Sequence, residues 1–197
     1  MTKQIKRTSQ QRGYSIVELL VSLAVISILS ALAAPSLVRT YRSYQMDDVA
    51  SQVASQIQFV RYEAIRRNNA IQCLNNPQGA QGLLTIFGVD PKAPNNNLQT
   101  NERRMIFAAN AIATLATSAA VSNSGSLAAL VNAGTLTTVP PTNGTVTFDG
   151  RGAKTAPAGV SVYWVGNAAY GWRAVTVMPS GSVQVWSSAT GTWKQAS

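Results

Sequence analysis

Histidine is absent from the 197-residue chain, and cysteine occurs once, at Cys73. Without histidine, neither a Ser/His/Asp nor a Cys/His catalytic arrangement can be assembled. One thiol closes no intrachain disulfide and cannot hold zinc alone. Cys73 is therefore expected to be a small buried hydrophobe. Acids are scarce as well, seven Asp and Glu against sixteen Lys and Arg. Asp47 and Asp48 are adjacent on a predicted helix, and neighbours one residue apart do not face each other. No glycine-rich phosphate loop or cluster of metal ligands is present in the sequence. The loop DPKAPNNN offers one carboxylate, Asp90, which is poor support for calcium. These gaps argue against an enzyme and against a metal or organic cofactor.

What the chain does have is a long uncharged run. Leu19 to Val38 is twenty residues without a charge, preceded by Lys3, Lys6, Arg7 and Arg12. As a helix it reaches roughly 30 Å, the thickness of the hydrocarbon layer. The basic residues place the N-terminus in the cytoplasm and send the rest outward. Outside those four, twelve cations face seven anions, a net +5. That balance gives mild support to an acidic partner.

Two accounts of the run compete. A secretory signal would use the small-residue pattern Ala31-Leu32-Ala33 as its cleavage site. A retained membrane helix has to explain Glu18. A carboxylate costs about 2.5–3.5 kcal/mol at the centre of a span and less near its end. A disposable signal has no use for that cost. Cutting after Gly13 would make Tyr14 a cationic N-terminus, one turn from Glu18 on the same face. Glu18 would equally neutralise the ammonium of a neighbouring copy, so that burial is coupled to assembly.

The stretch Arg12-Gly13-Tyr14-Ser15-Ile16-Val17-Glu18-Leu19-Leu20 resembles the processing site of type IV prepilins and type II secretion pseudopilins. The resemblance implies cleavage between Gly13 and Tyr14 by a membrane prepilin peptidase, and N-methylation of Tyr14. The family's first mature residue is usually phenylalanine, so tyrosine is a conservative departure. Glu18 falls at the fifth mature position, where an acid is typical of assembling subunits. Pro35 falls at the twenty-second, where proline is common. Pro35 should loosen the helix nearby. Ser27 with Ala31, and Ser30 with Ala34, are small pairs that let helices approach closely in lipid.

Apolar residues then recur at Val38, Tyr41, Met46, Val49, Val53, Ile57, Val60, Ala64 and Ile65. Those steps predict an amphipathic stem, with Arg42, Asp48, Gln52, Ser55 and Arg66 on its polar face. Residues 14–69 as one helix would span roughly 80 Å. Its end, FVRYEAIRRNNAIQCL, resembles the FimT and GspH group of minor pilins and pseudopilins through Arg61, Glu63, Ala64, Ile65, Arg67 and Asn68. Glu63 and Arg67 are spaced for an exposed ion pair.

Alternating stretches beyond the stem predict strands at 70–74, 82–89, 104–108, 145–149, 160–165, 173–178 and 182–186. Val146 and Phe148 fall on one face, and Pro179-Ser180-Gly181 marks a hairpin turn. Residues 105–148 carry no charge. Within them SGSLAALVNAG predicts a short helix with Ser126 as N-cap and Gly134 past its end. The segment is expected to be scaffold rather than a partner surface.

The organisation expected is a leader at 1–13, a membrane and assembly helix at 14–38, a stem at 39–69 and a β-rich head at 70–197. The fold class is α+β, and the resemblance implies two small packed sheets with the stem against one of them. It further implies a minor pilin or pseudopilin in the bacterial inner membrane, head in the periplasm, partnered by other subunits through the helix. Pilus and secretion machine are not separated by the sequence. DNA uptake is the alternative, because FimT-like members bind DNA through basic residues. Here the candidates are Arg151, Lys154, Arg173 and Lys194, with Tyr163, Trp164, Trp172, Trp186 and Trp193 as stacking platforms, although aromatics at strand spacing are more often core or rim. The arginine motif of DNA-binding members is not evident.

Overall fold

A computed structural model describes residues 15–78, 84–90, 103–108, 114–117, 121, 124–188 and 191–196. The chain forms two compact units, one ending at Thr40 and one beginning at Tyr41. Helix α1, Ile16–Arg67, contributes to both. In the first unit every described side chain is exposed, including Ile16, Leu20, Leu23, Ile28 and Leu32. This stretch is long and apolar enough to cross a membrane.

In the second unit α1 buries one stripe: Met46, Val49, Ala50, Val53, Ala54, Gln56, Ile57, Val60 and Ala64. The predicted periodicity holds from Met46 onward. Val38, Tyr41 and Ile65 depart from it and are exposed. Burying each large apolar residue of the stripe contributes about 1.5–3 kcal/mol. Ala50 and Ala54 keep the helix surface low, so that strands can approach it.

The helix ends in a Schellman cap. Asn68 adopts φ 47°, its N–H donates to the Ile65 carbonyl at 3.2 Å, and Asn69 N–H reaches back to Ala64 at 3.2 Å. Asparagine tolerates this left-handed backbone better than most side chains.

The strands follow as β1 Ile71–Gln78, β2 Leu84–Asp90, β3 Arg103–Ala108 and β4 Thr114–Ala116. After α2, Ser124–Leu130, come β5 Leu136–Thr138, β6 Thr145–Phe148, β7 Lys154–Ala156, β8 Val160–Asn167, β9 Gly171–Val177, β10 Val183–Ser188 and β11 Lys194–Gln195. One sheet has the order β3-β2-β1-β6-β7. The other has β11-β10-β9-β8-β4, with β5 pairing in parallel along Val160–Val162, the rest of the β8 edge that β4 occupies. All seven predicted strands are present with shifted ends. Four short ones, β4, β5, β7 and β11, were not predicted.

The stem packs differently from expectation. Its buried stripe shares one core with Ile71, Cys73, Val146 and Phe148 of the first sheet, and with Tyr163, Val165, Val175 and Val177 of the second. It serves both sheets rather than one. The far face of the second sheet has its own core, where Val160, Val162, Trp164, Trp172, Ala174, Trp186 and Trp193 meet Val121, Leu127 and Val131. Strand β8 is thus buried on both faces, which suits its apolar sequence VSVYWVGN.

Within the uncharged segment, α2 drives Leu127 into that second core. Its N-cap expectation is corrected. Ser126 lies inside the helix, which starts at Ser124. The stop is Asn132 at φ 52°, with Ala133 N–H on the Ala128 carbonyl at 2.9 Å. Gly134 lies beyond this second Schellman cap.

Candidate assembly helix and its attachment to the head

Gly13 and Tyr14 lie outside the described residues. Glu18 occupies the first turn of α1 and is exposed. An acid there suits the helix dipole, and its immediate neighbours Val17 and Leu19 are exposed apolar residues. Two hydroxyls of this segment are satisfied within the helix. Ser22 Oγ donates to the Glu18 carbonyl at 2.7 Å, and Ser27 Oγ to the Leu23 carbonyl at 2.8 Å. Back-bonded serines carry no orphan donor into an apolar medium, so Glu18 is the one formal charge between residues 15 and 38. The helix runs through Pro35 unbroken. What proline removes is the N–H that would have reached the Ala31 carbonyl.

Three contacts fasten the stem to the head. Arg173 of β9 is 3% exposed and donates through Nε to Asp47 Oδ1, through Nη2 to Ser43 Oγ at 2.8 Å and through Nη1 to the Trp172 carbonyl at 3.2 Å. Arg61 donates to the Gly152 carbonyl at 2.9 Å. Gly152 and Gly181 both take positive φ, 80° and 81°, and sit under the stem. A Cβ on Gly152 would meet Ile65 Cδ1 at 2.6 Å, and one on Gly181 would meet the Gly152 carbonyl at 1.9 Å. Only glycine fits both turns.

The predicted Glu63–Arg67 pair is present and is larger than expected. Arg66 and Arg67 both donate to Glu63, with Nη2 of each on Oε1 at 2.5 and 2.7 Å. The hydrogen bonds from Arg66, then those from Arg67, hold the Glu63 carboxyl down at about 2. In the core, Cys73 is fully buried, as expected, beside Tyr163. Burial pushes its thiol up to about 12, against a smaller opposing effect of the Tyr163 hydrogen bond.

The cations proposed for nucleic acid are not gathered. Arg173 is committed inside the fold. Lys154 is buried, its Nζ donates to the Pro157 carbonyl, and burial lowers its pKa. Arg151 is exposed in the turn between β6 and β7, and Lys194 is exposed on β11 of the other sheet. Of the two readings of the aromatics, core holds and stacking platform does not. Tyr163, Trp164, Trp172, Trp186 and Trp193 are all buried. Trp164 and Trp193 pack with centroids 5.6 Å apart, and the indoles of Trp164 and Trp186 donate to Thr138 and Thr176. Strand alternation in a two-core head put these rings inside.

The Asp47–Arg173 tie was not anticipated. The partners are separated by 126 positions, and the only hint was an acid on a stem followed much later by an arginine in an apolar strand.

Comparison with known families gives two matches. The prokaryotic N-terminal methylation motif matches residues 8–34, and the family of type II transport protein GspH matches residues 49–181. A crystal structure of the type IV minor pilin FimU of Pseudomonas aeruginosa (strain PAO1) is similar at 14% identity and a TM-score of 0.49, over 78% of this chain and 95% of that one. No curated protein matches the sequence.

Proposed function

The chain belongs to the family of type II transport protein GspH, and from this premise we propose that it is a minor pilin or pseudopilin subunit built into a filament through α1. In this reading a prepilin peptidase cuts between Gly13 and Tyr14, and Tyr14 is N-methylated. The mature subunit waits in the inner membrane with its head in the periplasm.

One observation carries the reading. A single helix, α1, holds an N-terminal methylation motif at one end and the core of a β head at the other. A removable signal would not share a helix with the residues that close the core. Glu18 supplies the step from membrane to filament. Unpaired, it is a cost in lipid. Beside the N-terminal ammonium of a neighbouring subunit it is neutralised, so the assembled state is preferred. Pro35, one donor short, lets the helix adjust as it packs.

Intact-mass measurement of the mature protein tests this directly. The expected mass is that of residues 14–197 with one added methyl group. A chain beginning near Ala34 would mark a cleaved secretory signal and overturn the proposal.

A further inference from the structure

The last turns of α1 and the loop between β6 and β7 meet at one place. Arg61 bonds the Gly152 carbonyl. Ile65 lies where a Cβ on Gly152 would be, and Asn68 where one on Gly150 would be. Arg151 is held between those two glycines. Asp149 fixes the loop by accepting from Arg151 N–H and Ala153 N–H through Oδ1, both at 2.9 Å.

The charges here do not cancel. Glu63 is one carboxylate serving two guanidiniums, so that triad keeps a net positive charge. Asp149 is occupied by backbone. The Arg151 side chain makes no hydrogen bond or ion pair among the described residues. Beside these cations, Tyr62 is 62% exposed and Ile65 42%. Tyr62 and Arg66 are one turn apart on the helix, as are Arg61 and Ile65.

We propose that this surface, Tyr62 and Ile65 with Arg61, Arg66 and Arg151 beside them, docks an acidic protein segment. Guanidinium forks match carboxylates in pairs. Tyrosine and arginine are the side chains that dominate protein interfaces, and an exposed isoleucine asks for an apolar neighbour. A nucleic-acid duplex would need cations spread along a track, whereas these are clustered around apolar side chains. Glu63 presets the Arg66 fork, which lowers the entropy lost on docking. All of these residues belong to the second unit, so the proposal does not depend on the membrane helix or on filament entry.

The test uses the full chain in non-ionic detergent and a fluorescent peptide alternating glutamate with leucine. Anisotropy should report binding that weakens with salt. Reversing two exposed charges, Arg66→Glu with Arg151→Glu, should weaken it by about tenfold or more. Tyr62→Ala should weaken it at unchanged salt dependence. Lys194→Glu, the same charge change on the other sheet, should leave it intact. The proposal is overturned if the peptide does not bind at low salt, or if Lys194→Glu matches the effect of reversing Arg66 or Arg151. It is equally overturned if duplex DNA or phosphatidylglycerol in mixed micelles binds this surface as tightly as the peptide.

Discussion

Arg173 reaches out of the second sheet to Asp47 on the stem, and the two ends of this bond live in different solvents. The arginine is 3% exposed, while the Asp47 side chain is 46% exposed. Removing the acid would leave a guanidinium buried with only Ser43 and a carbonyl for company. Removing the base costs little, because Asp47 can turn to water. Asp47→Ala is therefore expected to destabilise the head by about 3 kcal/mol, the low end for a broken buried pair because solvent reaches the site. Arg173→Met should cost less, and combining it with Asp47→Ala should recover much of the loss. Urea unfolding of the three variants measures both effects, and equal losses for the two single variants would contradict the asymmetry.

The turns under the stem give a second contrast. A methyl group on Gly181 would collide with the Gly152 carbonyl and force a side chain onto positive φ. Gly181→Ala should therefore cost about 2–3 kcal/mol. Gly125 in α2 has open space around its would-be Cβ and an ordinary φ. Gly125→Ala should be neutral or stabilising by about 0.5 kcal/mol. Thermal unfolding separates the two, and a harmless Gly181→Ala would mean that the turn is looser than its contacts indicate.

Acid should loosen the stem's last turns. The Glu63 carboxyl is depressed to about 2 in the folded protein, against an unfolded value of about 4.3. A depressed acid contributes stability that is fully present above the unfolded value and is lost as pH falls through the folded one. Stability should thus fall between pH of about 4.5 and about 2, and Glu63→Gln should flatten that part of the profile. Urea midpoints across this range, wild type against variant, make the comparison.

Long patterns were legible in the sequence and single contacts were not. The apolar run and the stem are repeated signals, in which many residues vote for one period. Strands of four or more residues showed the same redundancy. β4, β5, β7 and β11 have two or three residues each, too few for alternation to appear. Both helix caps use asparagine at positive φ, so glycine marks neither stop, and α2 ends before Gly134. Arg173 could be assigned as a surface cation only because nothing local marks its partner 126 positions away. The tryptophans were open to two readings for a related reason. A strand covered on one face shows its rings to solvent on the other, but α2 covers that other face of the second sheet, and α2 comes from a segment with little sequence character.

Cys73 offers a simple probe of the core. Its side chain is fully buried and its thiol is held up at about 12, so almost no thiolate exists at neutral pH. Alkylation by iodoacetamide should be negligible in the folded head and rapid in urea, because the thiolate is the reacting species. The labelling rate should follow global unfolding, and Asp47→Ala should speed it. Fast labelling of the native protein would mean that the two sheets part locally around Cys73 and Tyr163.

Glu18 carries the sharpest expectation. The charge sits in the first turn of an exposed apolar helix and is the one formal charge between residues 15 and 38, so substituting it removes one cost and one attraction. In the membrane, Glu18→Ala should be tolerated or favoured, because a carboxylate near an apolar span is expensive. Cleavage after Gly13 should proceed, since the bond lies outside the helix turn that changes. Incorporation into filaments should fail, because the neighbour's ammonium would then be buried without a counter-charge. Mass spectrometry of the membrane fraction and immunodetection in sheared filaments read the two steps separately. A processed Glu18→Ala subunit that still enters filaments at the wild-type level would show that apolar packing of α1 alone drives assembly, and the electrostatic coupling would have to be given up.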